Sequence, residues 1–227
     1  MQKIFKRLKT GSPFDHTIEA LKHSRSNDPV INLSILLHDV GKGATYQPQK
    51  EHKGRVRIHT YDGHDVVGAK IIEQIGRRLK MPNDDIDAIK FAAYRHMVLH
   101  NPERLSFSKL TGLVNNKYWP VLKEVVYCDE MSRGDQDSSE IAAKLDNVEK
   151  SVREGVGDET QVKQKIKKLV DGNKLMQWIP EILQNKPLIG QVLSKINEYL
   201  IDNKIFDIPE EELKQIAISI YEDIKNV

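Results

Sequence analysis

Cysteine is nearly missing from this chain of 227 residues. The single thiol, Cys128, excludes a framework of intramolecular disulfides and favours a reducing, cytoplasmic compartment. No run of about 18 apolar residues occurs, so no membrane span is expected. The basic first residues are not followed by an apolar stretch, so we also expect no signal peptide.

Neither positive nor negative charge dominates the chain. The formal net charge is +2, so the whole molecule does not have the strongly basic character of proteins that coat nucleic acids. Hydrophobic residues make up 39% and charged residues 30%, an ordinary balance for a soluble globular protein. The length allows a proper core, in one domain or in one domain with an appendage.

What is present is helical patterning, and we therefore predict an all-α fold. Asp28 and Pro29 are typical of a helix start, with the carboxylate as the cap and proline at the first helical position. The helix over 30–40 is apolar on nearly every side, which indicates a buried central helix that ends at Gly41. Further helices are predicted over 13–25, 62–79, 85–100, 107–114, 119–132, 141–152, 163–168, 188–201 and 209–224.

Two segments depart from this pattern. Residues 43–61 are rich in Lys, Gln, Pro and Gly, and the weak alternation at Val56 and Ile58 indicates a hairpin or a long loop. After Gly134 a polar loop is followed by helices with thinner apolar faces. We therefore predict a compact helical body over 1–134 and a helical C-terminal appendage over 135–227.

Four potential metal ligands lie on or beside the predicted helices, namely His16, the adjacent pair His38 and Asp39, and Asp129. Histidine nitrogen with carboxylate oxygen suits Mn, Fe, Co, Ni or Zn better than calcium. Neighbouring helical residues lie about 100° apart around the axis, so His38 and Asp39 can reach one ion only near the helix end. Ionisable groups at the end of a buried helix are costly without partners, and a metal ion is the simplest partner for both.

The pattern of His16, then His38-Asp39-Val40-Gly41-Lys42, then Asp129 resembles the HD superfamily of metal-dependent phosphohydrolases. More narrowly, the chain is similar to the HD-containing portion of bacterial tRNA nucleotidyltransferases, the CCA-adding and poly(A) polymerase-like proteins. The segments that carry this resemblance are 13–17, 61–69, 80–84, 95–96, 171–176 and 187–193. The resemblance covers most of the chain and implies an HD-domain helical bundle as its body.

The resemblance also implies a role for two further histidines. His64 and His96 match positions that bind a second ion in some HD branches, with Asp39 as the bridge. We therefore expect one or two divalent ions of Mn, Ni, Co, Fe, Zn or Mg. Two neighbouring ions would clamp the attacking and leaving oxygens of a displacement at phosphorus.

Three basic residues are candidates for substrate binding. Lys42 directly follows the helix end, where it can neutralise charge that develops on phosphoryl oxygens, so we count it with Asp39 as catalytic. Arg133 follows Asp129 by four residues and can reach that carboxylate or a phosphate. Arg95 is a further candidate of the same kind.

These residues favour metal-dependent hydrolysis of phosphomonoesters or phosphodiesters on nucleotides or RNA ends, and the resemblance implies phosphatase and 2′,3′-cyclic phosphodiesterase activity in particular. Two alternatives stay open: a hydrolase of free deoxynucleotides or cyclic nucleotides, and a non-catalytic RNA-binding module or accessory subunit related to the nucleotidyltransferases. The expected partner is a phosphorylated small molecule or an RNA 3′ end, and no membrane. The chain has no Gly-Ser motif with paired aspartates, so nucleotide addition is not expected of it alone.

Overall fold

The computed structural model describes residues 12–52, 55–134, 136–156 and 159–225. The first eleven residues, which the expectation about a signal peptide concerns, lie outside the described residues. The described chain forms two compact units: residues up to 102 with 116–147, and residues 103–115 with those from 148 onward. The boundary after residue 134 stays a prediction about which segments fold independently.

The described residues confirm the helical class, with one hairpin added to it. In chain order the elements are α1 (Pro13–Lys22), α2 (Pro29–Leu37), α3 (Lys42–Thr45), β1 (Gln47–His52), β2 (Arg55–Thr60), α4 (His64–Arg78), α5 (Asn83–Arg95), 3-10 helices His96–His100 and Pro102–Arg104, α6 (Phe107–Val114), α7 (Trp119–Met131), α8 (Ser138–Val156), α9 (Glu159–Leu169), α10 (Gly172–Trp178), 3-10 helix Pro180–Asn185, α11 (Lys186–Asp202) and α12 (Glu210–Lys225). No helix in those ranges is both long and apolar enough to cross a membrane.

Helix α2 begins as predicted and ends earlier than predicted. The Asp28 carboxylate accepts a hydrogen bond of 2.8 Å from the Val30 nitrogen, and Pro29 is the first helical residue. The helix ends at Leu37 rather than at residue 40. Beyond Leu37 the backbone tightens, because the Val40 nitrogen donates to the Leu37 carbonyl oxygen three residues earlier. The tight turns aim consecutive side chains into one interior region.

The position of α2 in the first unit is central. It packs against α1, α5 and α7. Ile35 is fully buried, and Leu33 and Leu37 contact a buried cluster formed by Ile72 and Ile89 with Ala93. The carboxyl end of α2 is thereby held in the interior, where its polar residues meet those of the surrounding helices.

An ion pair joins the chain segment after α1 to helix α7. The Glu124 carboxylate accepts hydrogen bonds from the Arg25 backbone nitrogen at 2.8 Å and from its guanidinium at 2.6 Å. The same guanidinium lies 3.5 Å from the centroid of the Tyr127 ring. Since α1 carries His16 and α7 carries Asp129, this pair helps to hold two candidate ligands in register.

Residues 47–52 and 55–60 pair as antiparallel strands, which decides between the two expectations for this segment. Gln47 pairs with Thr60 at one end of the ladder, and His52 pairs with Arg55 at the other. The hairpin therefore leaves and re-enters the helical body at neighbouring points.

The second unit has an apolar core. Its fully buried members include Leu175, Ile182, Val192, Ile196 and Leu200. Helix α10 was not predicted from the sequence. Asp171 caps its first residue, Gly172, and the Asp171 side chain accepts a hydrogen bond of 2.8 Å from the Lys174 nitrogen. This capping residue was the signal that could have revealed the helix.

Candidate metal centre

The first unit brings together the six residues that the sequence indicates as metal ligands. They are His16 on α1, His38 and Asp39 in the turn after α2, His64 at the start of α4, His96 at the start of the 3-10 helix, and Asp129 on α7. Of these six only His16 is half-buried, and the others are buried. Segments far apart in sequence thus supply one interior cluster.

Gly41 allows the turn after α2 to approach the start of α4. A Cβ atom on Gly41 would lie 2.6 Å from the Gly68 nitrogen and nearer still to the His64 carbonyl oxygen. Side chains do not approach backbone atoms this closely, so a larger residue would push the two segments apart. The glycine therefore lets Asp39, two residues earlier, lie beside His64.

Three of the histidines are oriented by the same local contact. Each directs Nδ1 at the carbonyl oxygen three residues earlier: His38 to Ile35 at 2.7 Å, His64 to Tyr61 at 2.9 Å, and His96 to Ala93 at 2.7 Å. A carbonyl oxygen can only accept a hydrogen bond, so Nδ1 carries the proton in each ring. In the neutral ring Nε2 then presents a lone pair, which is how metal-binding histidines are commonly oriented.

His16 is oriented by Ser132 instead. The Ser132 hydroxyl donates to the Asp129 carbonyl oxygen at 2.6 Å, and its oxygen lies 2.9 Å from Nδ1 of His16. Because the single hydroxyl proton is used by the carbonyl, Ser132 accepts the proton of Nδ1. The Nε2 lone pair of His16 therefore also faces the cluster.

Imidazole nitrogens surround the carboxylate of Asp39. Its Oδ2 lies 3.5 Å from Nε2 of His16 and 3.3 Å from Nε2 of His38, and its Oδ1 lies 3.5 Å from Nε2 of His64 and 3.6 Å from Nε2 of His96. Lone pairs facing a carboxylate repel it unless a cation lies between them. Buried atoms without a hydrogen-bond partner include Nε2 of His16, His38 and His64, Oδ1 of Asp39 and Oδ1 of Asp129. Buried polar atoms of native proteins normally have partners, so this cluster has the character of a cation site.

The spacing of these atoms fits metal coordination. Two ligand atoms about 2.1 Å from one ion lie roughly 3.0 Å apart at a right angle and roughly 3.4 Å apart at a tetrahedral angle. Within the cluster, Nε2 of His16 lies 2.8 Å from Oδ1 of Asp129 and Nε2 of His38 lies 3.3 Å from Oδ2 of Asp39. Two groups of three converge in this way, His16 with His38 and Asp129, and His38 with Asp39 and His96. Imidazole and carboxylate ligands suit divalent transition metals.

The carboxylates are held ionised in spite of their burial. Burial by itself raises the pKa of Asp39, but contact with His38 and the charge of Lys42 hold that pKa well below its usual range. Burial likewise opposes ionisation of Asp129, and contact with His100 more than offsets it, so its pKa is also lowered. Two negative charges in the protein interior attract positive charge.

The histidines respond to these charges in opposite ways. Burial opposes protonation of His38, yet the neighbouring carboxylates outweigh it and raise its pKa. Burial prevails at His96, aided by the charge of His38, and lowers its pKa. His96 thus favours the neutral form that binds metals, while His38 is the position where a proton and a metal ion compete.

Two of the three basic candidates lie on the cluster. The Lys42 ammonium forms an ion pair with Oδ2 of Asp39. The guanidinium of Arg133 lies 2.9 Å from Oδ2 of Asp129, and its side chain is 43% exposed. Arg95 is exposed and lies 4.7 Å over the Tyr94 ring, and within the described chain it makes no polar contact with the cluster. Its role in substrate binding stays a prediction.

Sequence reasoning missed three residues that support Asp129, namely His100, Glu130 and Ser132. His100 directs Nε2 at Oδ2 of Asp129 at 2.9 Å and Nδ1 at Glu130 at 2.5 Å. Burial opposes protonation of His100, but the hydrogen bonds that its ring donates to both carboxylates outweigh burial and raise its pKa. The spacing of His100 four residues after His96 was a weak signal, which the following Asn101-Pro102 obscured.

The curated proteins that match parts of this chain include two that are named for tRNA nucleotidyltransferase or CCA activity. An A-adding tRNA nucleotidyltransferase of Deinococcus radiodurans is 38% identical over 89 residues, which make up 37% of this chain and 20% of that protein. A multifunctional CCA protein of Shewanella denitrificans is 29% identical over 121 residues, which make up 52% of this chain and 27% of that protein. The chain therefore spans only a minor part of the length of these relatives.

The model of the HD domain family matches residues 14–154, more than half of the chain. That span contains all six clustered residues, from His16 to Asp129. Their buried arrangement is consistent with a metal-dependent phosphohydrolase. The chain belongs to the HD domain family.

Proposed function

We propose that this protein hydrolyses phosphomonoesters or phosphodiesters, including 2′,3′-cyclic phosphates, on nucleotides or RNA ends, with one or two divalent metal ions. The observation that carries the proposal is the convergence of buried imidazole lone pairs on two ionised carboxylates, each of which keeps one buried oxygen, Oδ1, without a hydrogen-bond partner. A binding module would have no physical reason to maintain such a costly arrangement.

Two overlapping sets of residues would hold the metal. His16, His38, Asp39 and Asp129 form the first set, and His64 and His96 share Asp39 with it as the second. The donor atoms suit Mn, Fe, Co, Ni or Zn, and the carboxylates also suit Mg. A bound divalent ion would supply Lewis acidity at the phosphoryl oxygens and a hydroxide nucleophile near neutral pH.

The remaining groups of the site position the substrate and its charge. Lys42 and Arg133 pair with the outer sides of Asp39 and Asp129 and can also donate to phosphoryl oxygens. As negative charge develops at phosphorus, these two cations stabilise it. Backbone carbonyls keep Nδ1 of His38, His64 and His96 protonated, so the rings need no reorientation to present Nε2.

The relatives favour one class of substrate within this chemistry. One is named as an A-adding tRNA nucleotidyltransferase and the other as a multifunctional CCA protein, which favours an RNA end as the substrate. Because only part of their length is matched, the RNA 3′ end is a proposal for this chain. It should be assayed beside free nucleotides, including deoxynucleotides and cyclic nucleotides.

The decisive experiment replaces Asp39 with asparagine, which keeps the size of the side chain and removes its charge. We expect Asp39→Asn to purify with far less metal and its rate of hydrolysis to fall by at least about 100-fold. Such a loss is larger than the one typical of changing a residue that only supports a metal ligand through a hydrogen bond. Elemental analysis and a panel of mono-, cyclic and triphosphate nucleotides provide the measurements. Asp87→Asn is the matched control, since the Asp87 side chain is 57% exposed on α5.

Circular dichroism should show that both variants keep their helices. Retention of metal and activity by Asp39→Asn would contradict the assignment of the ligands. If metal-loaded wild-type protein hydrolyses no member of the panel but binds RNA, the RNA-binding alternative replaces the enzyme.

A further inference from the structure

An aromatic pair lies next to the metal centre, and hydrolysis by itself gives it no role. The ring centroids of Tyr46 and Tyr61 are 6.0 Å apart, and the rings are tilted by 48°. Tyr46 is 54% exposed, whereas Tyr61 is half-buried. The pair therefore consists of one exposed tyrosine and one that lies deeper in the protein.

The hairpin explains why these two rings meet. The last backbone pair of the ladder is Gln47 with Thr60, so Tyr46 precedes the first strand and Tyr61 follows the second, directly beyond this pair. Side chains at opposite positions of antiparallel strands lie within reach of one another. The aromatic pair is thus a product of the strand register, although the two residues are far apart in sequence.

The pair is also tied to the metal centre at two points. The Lys42 ammonium, which contacts Asp39, lies 5.7 Å from the centroid of the Tyr61 ring. The Tyr61 carbonyl oxygen accepts the Nδ1 proton of His64 at 2.9 Å. A phosphate beside Lys42 would therefore leave the organic part of its ester close to the two rings.

We propose that Tyr46 and Tyr61 bind the nucleobase of the substrate by stacking, while its phosphate lies at the metal centre beside Lys42. The proposal rests on the proposed function and narrows its substrates to phosphoesters that carry a base. Every base has a planar aromatic face, and aromatic side chains next to a cation are a common way to bind it with little sequence preference. An aliphatic phosphoester offers no such face.

The test measures binding without turnover. The probe is a 2-aminopurine ribonucleotide analogue in which a methylene group replaces the ester oxygen, so that it cannot be hydrolysed. Stacking should quench its fluorescence in wild-type protein. Tyr46→Ala should bind it roughly 5- to 150-fold more weakly, whereas Tyr46→Phe, which keeps the ring, should stay within about twofold of wild type. Tyr199→Ala is the matched control, because Tyr199 is also exposed, at 39%, and belongs to the second unit.

A free nucleotide and the terminal nucleotide of an RNA offer the same base and phosphate. The binding of the mononucleotide analogue is therefore compared with that of a short RNA that ends in 2-aminopurine, which shows whether the site takes a free nucleotide or an RNA end. A loss of affinity of Tyr46→Ala for either probe supports the stacking role. Equal affinity of wild type and Tyr46→Ala for both probes overturns it.

The stacking proposal and the proposed hydrolase function can be tested separately by comparing kcat/KM for hydrolysis of a nucleoside monophosphate with kcat/KM for glycerol phosphate. If both esters are hydrolysed and Tyr46→Ala leaves their ratio of kcat/KM unchanged, stacking is rejected while the hydrolase stands. If metal-loaded protein hydrolyses neither of these esters nor any member of the nucleotide panel, the proposed function fails, and the fluorescence measurement still decides whether the pair binds a base.

Discussion

The two compact units bury different kinds of side chain. All buried aspartate, glutamate and histidine side chains of the described residues lie in the first unit: His38, Asp39, His64, His96, Glu124 and Asp129. The core of the second unit is an apolar cluster in which Tyr221 is the one ionisable member among the described residues. Helix packing accounts for the second core, whereas the first has charges at its centre that helix packing alone does not satisfy.

This difference separates two sources of stability. The second core depends on the area of apolar surface removed from water, which hardly responds to protons or metal ions. The stability of the first core depends in addition on the ionisation of its carboxylates, and it would respond to a cation bound between them. The same charges create the candidate site, so function and sensitivity to conditions should lie in one unit.

The largest expected effect is the selective loss of the first unit in acid. Without metal, it should unfold at a higher pH than the second. The pKa values of Asp39 and Asp129 lie below the ordinary value of about 3.9, so their stabilisation is complete at neutral pH. This stabilisation declines as the pH falls below the ordinary aspartate pKa, and it is lost once the pH falls below the lowered pKa of the folded protein. His38, with its raised pKa, stabilises the fold below about pH 6.5, but only while those carboxylates remain ionised.

The two tryptophans allow this comparison to be measured. Trp119 belongs to the first unit and is 2% exposed, and Trp178 packs against the apolar cluster of the second. Fluorescence of Trp178→Phe then reports the first unit during an acid titration, and that of Trp119→Phe reports the second. A single shared transition in both variants would show that the units do not differ in this way.

The next largest effect should come from Leu200→Ala in the second core. Leu200 is fully buried, and truncation of such a residue typically costs about 2–5 kcal/mol of unfolding free energy. Metal content should stay unchanged, because the variant removes only apolar packing from the other unit. Urea unfolding and elemental analysis measure the two quantities. A loss of metal together with stability would contradict the separation.

A smaller effect on stability, with a large effect on the site, is expected from Gly41→Ala. The added Cβ meets the backbone of His64 and Gly68, and overpacking of this kind costs about 1–3 kcal/mol. Because the strain separates Asp39 from His64, metal affinity should fall by roughly 10- to 100-fold, as when a supporting contact of a metal ligand is lost. Metal titration of the apo protein provides the measurement.

Gly43→Ala is the control, since Gly43 lies in the short helix α3 that follows Gly41, and a Cβ there meets nothing within 4 Å. It should bind metal like wild type and keep or slightly increase stability. Equal metal affinity in both glycine variants would show that the close approach at Gly41 does not shape the site.

Local rules predicted much of this molecule. The cap at Asp28, the proline after it and the apolar spacing of α2 were enough to predict where that helix begins. The string from His38 to Lys42 indicated the metal chemistry and the HD family, and the family match confirms that resemblance. These features depend on neighbouring residues, whose propensities act over a few positions.

Other features depend on contacts between distant segments and could not be predicted in this way. The role of His100 arises only because α7 places Asp129 and Glu130 on either side of its ring. Arg95 shares a helix end with His96, yet its side chain lies over Tyr94 rather than on the cluster. The early end of α2 accompanies a tight local turn, in which the Val40 nitrogen donates to the Leu37 carbonyl oxygen.

The sequence by itself determined the helical class, the types of ligand and the string that joins His38 to Asp39, because these follow from local propensity and residue chemistry. Only the tertiary structure decided that the imidazoles of His16, His64 and His96 face the carboxylate of Asp39, and that Tyr46 meets Tyr61 beside Lys42. Such relations require separations of a few ångströms between residues that are far apart in the sequence. Helix packing and strand register set those separations, and no short stretch of sequence contains them.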